Sequence, residues 1–193
     1  MKKTIFFIAT LFFLGNAKAQ DVHFGIKGGL NASSLNNKNS DEETKIGFNA
    51  GFLAHIHTAN KFWAFQPEVY YSLEGNRPKM IPQGTGNTNL NYLNVPVLVQ
   101  YMFDNGFRLE TGPQIGFLLS AKNKTNNTTT DFKSQFKSTA FSIPLGLGYL
   151  TTTGLGFDAR YNFGLSNIYK SNEPKIRSNV FQFDVFYQFS HKK

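Results

Sequence analysis

The sequence predicts an all-β fold, an eight-stranded antiparallel up-and-down transmembrane β-barrel. Three observations carry it: repeated alternation of apolar and polar residues, an even number of such runs, and connections that are by turns long and short. At 193 residues, with 40% hydrophobic and 17% charged content, the chain suits one domain rather than two. Aromatics make up 16%, with 21 Phe, and there are 17 Gly, a mixture that favours strands and tight turns over helices. Cysteine is absent, which excludes disulfides and thiolate-bound zinc or iron–sulfur centres. Mean hydropathy is −0.31. Beyond the N-terminus no apolar run reaches the roughly 18 residues of a membrane helix, so a multi-helix membrane protein is excluded and a barrel is not.

The N-terminus reads Met1-Lys2-Lys3, then an apolar stretch from Ile5 to Leu14, then Ala17-Lys18-Ala19 before Gln20. A basic start, an apolar core and a small-residue exit predict a cleaved secretory signal peptide over 1–19, with the barrel domain over 20–193. The apolar core, about ten residues, is too short to span a bilayer. Without a cysteine after the cleavage site, lipoprotein anchoring is excluded. Loss of Lys2, Lys3 and Lys18 takes the net charge from +8 to +5 and the length to 193 − 19 = 174 residues. An exported chain of this kind is expected in a bacterial outer membrane. Its positive charge is then expected to face lipid phosphates or other surface anions, and not nucleic acid.

Eight runs follow in order. In Val22–Asn31, Val22, Phe24, Ile26 and Leu30 oppose His23, Lys27 and Asn31. In Lys45–His57, Ile46, Phe48, Ala50, Phe52, Ala54 and Ile56 oppose Asn49, His55 and His57. Trp63, Phe65, Val69, Tyr71 and Leu73 alternate with Gln66, Glu68, Tyr70 and Ser72. Leu93, Val95, Val97, Val99, Tyr101 and Phe103 alternate with Tyr92, Asn94, Pro96 and Gln100. The fifth run sets Phe107, Leu109, Ile115, Phe117 and Leu119 against Arg108, Glu110, Gly112 and Gln114. The sixth sets Phe141, Ile143, Leu145, Leu147 and Tyr149 against Ser142, Gly146 and Gly148. The seventh opposes Leu155, Phe157, Ala159, Tyr161 and Phe163 to Asp158, Arg160 and Asn162. The eighth opposes Phe181, Phe183, Val185, Tyr187 and Phe189 to Gln182, Asp184 and Gln188.

Short connections are turn-like: Thr58-Ala59-Asn60, Asp104-Asn105-Gly106 and Thr152-Thr153-Gly154. The long ones, near 32–44, 75–89, 121–136 and 168–178, are rich in Asn, Thr, Ser, Lys and Gly. Outer-membrane barrels pair short periplasmic turns with longer extracellular loops, so both chain ends are expected on the periplasmic side. Lys27, Glu68, Arg108, Glu110, Asp158, Arg160 and Asp184 all share the polar parity. A charge facing the bilayer midplane costs about 2–4 kcal/mol, which assigns these seven to the lumen. Eight strands enclose a space that side chains just fill, so the three cations are expected to pair there with the four carboxylates, in a plugged barrel. The same parity suits a soluble lipocalin-type barrel with its apolar face inside. Aromatics toward strand ends (Trp63, Tyr71, Phe103, Phe107, Tyr149) and long uncharged apolar faces favour the membrane.

Several stretches resemble the outer-membrane β-barrel domain proteins described as porin-like or PorT-family. These are Phe24-Gly25-Ile26-Lys27-Gly28-Gly29-Leu30-Asn31, Phe65-Gln66-Pro67-Glu68-Val69-Tyr70-Tyr71-Ser72, Tyr92-Leu93-Asn94-Val95-Pro96-Val97-Leu98, Gly112-Pro113-Gln114-Ile115-Gly116 and Arg160-Tyr161-Asn162-Phe163-Gly164-Leu165-Ser166-Asn167-Ile168. They span most of residues 21–189 in order. The resemblance implies an eight-stranded outer-membrane barrel without a cofactor, and through the PorT name a part in protein secretion across that membrane. Members end on an aromatic; here Ser190-His191-Lys192-Lys193 follows Phe189.

Candidate chemistry is sparse. His55 and His57 share the inward parity but lack an obvious third ligand, so polar filling is favoured over a metal site. No catalytic constellation stands out and no enzyme is expected. The last three long loops carry Arg77, Lys79, Lys122, Lys124, Lys133, Lys137, Lys170, Lys175 and Arg177 against Asp131 and Glu173. Of these Arg77, Lys79, Lys122, Lys124, Lys170, Lys175 and Arg177 are the candidate anion-binding residues, suited to lipopolysaccharide phosphates or an acidic envelope partner. The expected function is a monomeric, non-enzymatic barrel in contact with outer-membrane lipid, with a structural or surface-interaction role. A secretion accessory and a narrow solute channel are the alternatives.

Overall fold

The computed structural model describes residues 22–36, 42–78, 86–125, 128–171 and 175–189. The signal peptide expected over 1–19 and the tail 190–193 lie outside the described residues. Ten strands follow one another: β1 (Val22–Asn36), β2 (Glu42–His57), β3 (Trp63–Pro78), β4 (Gly86–Met102), β5 (Phe107–Thr111), β6 (Gln114–Thr125), β7 (Thr128–Asp131), β8 (Thr139–Leu150), β9 (Leu155–Gly164) and β10 (Arg177–Gln188). All pairings are antiparallel, and β1 pairs β10 from Gly25↔Gln188 to Asn36↔Arg177, closing the barrel.

The fifth predicted strand is interrupted. β5 and β6 are halves of one barrel strand, each flanked by β4 and β8, with Gly112 and Pro113 between them. Proline has no N–H for the ladder. Its carbonyl still accepts from Val97 N–H at 3.0 Å, so the strand bends without leaving the sheet. Eight barrel strands result, while β7 pairs only with the tip of β6.

The long connections are shorter than the alternation suggests. β1 runs on to Asn36, β2 starts at Glu42, β3 ends at Pro78, β4 starts at Gly86 and β6 reaches Thr125, all inside stretches read as loops from sequence. Above the bilayer both faces of a strand can be wet, so pairing continues after alternation has stopped. The stretch 121–136 also holds β7 and a 3-10 turn over Lys133–Gln135.

Two short connections close as predicted by their glycines. Gly106 and Gly154 both have φ of 90°, a region open to residues without a Cβ. Each sits in a tight hairpin whose closing bonds are Phe103 N–H to Phe107 O at 2.8 Å and Thr151 N–H to Leu155 O at 2.8 Å.

Which side of the wall is apolar decides between membrane and soluble barrel. Phe52 is 69% exposed and Leu30 61%, whereas Asp184 is fully enclosed. A soluble barrel would reverse that order, so the outward face is the lipid face. Aromatic contacts gather near the short turns: Trp63 on Tyr101 at 5.1 Å, Tyr101 on Phe103 at 5.1 Å, Phe107 on Tyr149 at 5.2 Å and Tyr187 on Phe189 at 5.6 Å. Nearer the extracellular side Phe48 meets Tyr71 and Tyr161 meets Phe163.

Candidate functional site: a charged lumen beneath an apolar cap

The seven lumen charges come from five strand segments: Lys27 from β1, Glu68 from β3, Arg108 and Glu110 from β5, Asp158 and Arg160 from β9, and Asp184 from β10. All are buried. Lys27 Nζ lies 3.0 Å from Glu68 Oε2 and 2.7 Å from Asp184 Oδ2. Arg160 holds Glu68 through both terminal nitrogens, at 2.8 Å each, reaches Asp158 Oδ2 at 2.8 Å through Nη2, and contacts Glu110 through Nε. Arg108 Nη2 donates to Asp158 Oδ1 at 2.9 Å. Three cations against four carboxylates leave the cluster at −1 when all are ionised.

Neutral donors complete the carboxylates' coordination. Gln66 Nε2 donates to Glu68 Oε1 at 2.7 Å, Gln100 Nε2 to Glu110 Oε2 at 2.8 Å, and Asn49 Nδ2 to Asp184 Oδ1 at 2.7 Å. Buried charge is tolerable only with this degree of pairing and hydrogen bonding.

Glycines across the ladder make the crossing possible. Lys27 is paired in register with Gly51, Asp184 with Gly29, Gly148 with both Arg108 and Asp158, and Gly146 with both Glu110 and Arg160. A Cβ on Gly148 would run into Asp158 Oδ1 and Arg108 Nε, and one on Gly146 into Arg160 Cγ. The long side chains lie across the lumen in space their partners leave empty.

Below this belt Phe186 points inward, buried, with the Arg108 guanidinium carbon 4.3 Å from its ring centre. Gly156 makes room for that ring. Above, Tyr70 O–H donates to Gln114 Oε1 at 2.8 Å, and Asn31 Nδ2 to Ser72 Oγ at 2.8 Å. Glu74 accepts from Ser72 Oγ at 2.9 Å, Asn94 Nδ2 at 3.2 Å and Ser178 Oγ at 3.0 Å. Space beside Glu74 is about 20 Å³, enough for roughly one water. The lumen charges are therefore paired with one another across the barrel, with little space left beside Glu74 above them.

His55 and His57 face inward near the short turn between β2 and β3, and β1 brings His23 opposite His55 in register. The His57 ring lies 4.6 Å from that of His55 and 5.6 Å from that of His23. Sequence spacing could not show the cross-strand neighbour. Among the described residues no group of His, Asp and Glu has a metal-holding arrangement.

At the extracellular end the inner face changes character. Leu35, Leu90, Tyr92, Leu118, Ala121, Phe136 and Ile168 form a buried apolar cluster, with Phe132, Ala140, Tyr169 and Ile176 against it. Two connections fold over the mouth and are stitched together by Lys137 N–H to Ile168 O at 2.8 Å and Lys170 N–H to Gln135 O at 2.9 Å. Phe136 packs edge-on against Tyr169 at 5.0 Å. Alternation placed Tyr92 on the inward face but missed Phe132, Phe136, Tyr169 and Ile176, which sit in Asn- and Thr-rich stretches. The available signal was the set of uncharged aromatics and isoleucines at 132, 136, 168, 169 and 176 within them.

Of the predicted loop cations, Lys122, Lys170, Lys175 and Arg177 are exposed at this end, and Lys133 joins them. Arg177 is the first residue of β10 and not a loop residue. Lys79 and the side chains of Arg77 and Lys124 lie outside the described residues.

Comparison with known families places this architecture. The model of the outer membrane protein β-barrel domain matches residues 18–170. The chain belongs to that family. Solved barrels share the fold. Neisserial surface protein A superposes with a TM-score of 0.60 at 13% identity, over 86% of this chain and 97% of that one. Ail, the attachment invasion locus protein of Yersinia pestis, gives 0.54 at 14% identity, over 88% and 99%. Ail in complex with the heparin analogue sucrose octasulfate gives 0.53 at 15%, over 88% and 99%. No curated protein sequence matches the chain. This is thus an outer-membrane β-barrel protein whose fold is shared by Ail and neisserial surface protein A.

Proposed function

We propose that the protein is a non-enzymatic surface-interaction barrel, exported by a cleaved signal peptide. Its basic extracellular edge engages clustered phosphate or sulfate groups on glycans, with lipopolysaccharide the nearest source. The carrying observation is the length of the first four strands, 15 to 17 residues, against the roughly 9–11 that cross a bilayer. That surplus lifts a rigid rim above the membrane. On it Lys122, Lys133, Lys170, Lys175 and Arg177 are exposed, with Asp131 the exposed acid beside them among the described residues. Clustered cations of this kind attract polyanions with a strength that salt screens. A barrel of the same fold, Ail, has been solved with a sulfated sugar bound, which supports the reading that such a rim can hold one. The packed lumen argues against the solute-channel alternative.

The test is titration of the full chain in lipid nanodiscs with sucrose octasulfate, at low and at physiological salt. Saturable binding that weakens with salt and falls at least tenfold in the Lys170→Glu/Lys175→Glu/Arg177→Glu variant is expected. No binding, or binding indifferent to the triple variant, would overturn the reading. Stable co-purification of other envelope proteins would favour the secretion-accessory reading instead.

A further inference from the structure

An open groove of about 240 Å³ lies between the tips of β1, β3, β4 and β6 and the two connections folded over them. Its lining is of two kinds. Phe132, Phe136 and Tyr169 are aromatic, and the stitched connections hold Phe136 edge-on against Tyr169. The polar part follows from strand register: Thr88 on β4 pairs with Asn123 on β6, which brings a hydroxyl and a carboxamide to one level on neighbouring strands. Gln135 is exposed beside them, and because the Tyr169 hydroxyl engages its Oε1, its amide nitrogen is left to donate. Rim cations border the groove. Lys122 is among the lining residues, and Lys170 and Arg177 follow Tyr169 and Ile176 in the chain, about 3.8 Å of backbone away. Asp131, in register with Lys122, is the exposed acid among them.

We infer that this groove seats one pyranose ring of a phosphorylated or sulfated glycan, so that the rim selects an anionic sugar over other polyanions. The inference rests on the polyanion-binding reading above and adds what charge alone does not supply, a preference for a ring. Size sets one ring. A cavity of about 150 Å³ accepts benzene, and drug-sized ligands need roughly 300 Å³ or more. A six-membered ring with its hydroxyls lies between them. A pyranose presents C–H bonds on its faces, which pack on the negative faces of aromatic rings, and hydroxyls around its edge, which amides and hydroxyls satisfy by donating and accepting. A wholly apolar ligand would cover Thr88 and Gln135 without satisfying them, at the desolvation cost of each group. A linear polyanion would leave the aromatic lining unused. The phosphate or sulfate on the ring reaches the bordering cations through charge-assisted hydrogen bonds, and Lys122, Lys170 and Arg177 stand where such a substituent emerges.

The probes are glucose 6-phosphate, sorbitol 6-phosphate and glucose, titrated by saturation-transfer NMR onto the full-length protein in nanodiscs, with empty nanodiscs as the reference. Sorbitol 6-phosphate keeps the phosphate and the hydroxyls but has no ring, and glucose keeps the ring but has no charge. Glucose 6-phosphate is expected to bind at least fivefold more tightly than either. Ile176→Trp, which fills the groove, should bring glucose 6-phosphate down to the level of sorbitol 6-phosphate, and heat-modifiability on gels checks that the variant is folded. Glucose 6-sulfate separates the two sources: a ring preference that is stronger with phosphate assigns lipopolysaccharide, one that is stronger with sulfate assigns a sulfated glycan outside the cell, and both support the site. Equal affinity of the wild-type protein for glucose 6-phosphate and sorbitol 6-phosphate overturns the inference without recourse to any variant. If sucrose octasulfate still binds the same sample, the polyanion reading survives that result; if it does not, both fall. An unchanged ring preference in folded Ile176→Trp overturns the inference as well.

Discussion

Arg160→Met is the most informative single change, because one guanidinium serves three carboxylates. Removing it leaves Lys27 and Arg108 facing four acids, so the ionised cluster moves from −1 to −2. The loss does not fall equally on the three. Glu68 keeps Lys27 at 3.0 Å and Asp158 keeps Arg108 at 2.9 Å, whereas Glu110 retains only the Gln100 amide at 2.8 Å. Breaking one fully buried pair from one side costs about 3–5 kcal/mol, and that figure applies here once rather than three times. Urea unfolding in lipid vesicles, read by Trp63 fluorescence and by the gel shift between boiled and unboiled samples, measures it. Glu110→Gln in the same background removes the stranded charge and should recover most of the loss, since neutralising both partners of a buried pair is close to neutral. A single variant within about 1 kcal/mol of wild type, or a double variant no better than the single, would refute the assignment of Arg160 as the hub.

Val97→Arg places a cation on the lipid face and should cost about 2–4 kcal/mol or block insertion, whereas Thr153→Arg in a short turn should do neither; membrane fractionation separates the two. Gly148→Ala drives a methyl into Asp158 and Arg108 and should destabilise by about 1–3 kcal/mol, while Gly28→Ala, whose nearest neighbour would be Asn49 O at 3.7 Å, should be tolerated; unfolding midpoints decide. Phe136→Ala empties part of the cap at a cost of about 3–5 kcal/mol local to it. Protease added to intact cells should then cut the connections near 132–138 faster, with the gel shift of the barrel unchanged.

The barrel, its strand count and the side each charge faces were legible because lipid on one side and a crowded lumen on the other impose a strict period of two. Lys27, Glu68, Arg108, Glu110, Asp158, Arg160 and Asp184 obey it without exception, and all seven are buried. What alternation does not encode is pairing. That Arg160 reaches Glu68, 92 residues away, depends on side-chain length and on glycines at 146 and 148, not on spacing. Phe186 escaped notice because an apolar residue on the polar parity reads as noise, though it seals the lumen beneath Arg108. The cap escaped for the opposite reason. Phe132, Phe136, Ile168, Tyr169 and Ile176 follow no period, since they lie in irregular segments where the side-chain direction is set by the turn each one occupies.

The two interiors impose different demands on one chain. Inside the bilayer the wall is apolar, so a one-residue slip of β9 would push Arg160 and Asp158 into lipid, at about 2–4 kcal/mol for the cation alone. The charged lumen thus fixes the register as well as filling the space. Above the bilayer water lies outside, and that penalty disappears. Register there is kept by burying apolar groups inside as well, and the inner face accordingly adds Leu35, Leu90, Tyr92 and Phe136 beside the buried Lys45 and Glu74. A path through the lumen would have to cross both regions, the paired charge cluster and then the apolar cluster above it. The same arrangement places the exposed cations Lys122, Lys133 and Arg177 at the end of the barrel where apolar burial, and not the lipid boundary, holds the strands in register.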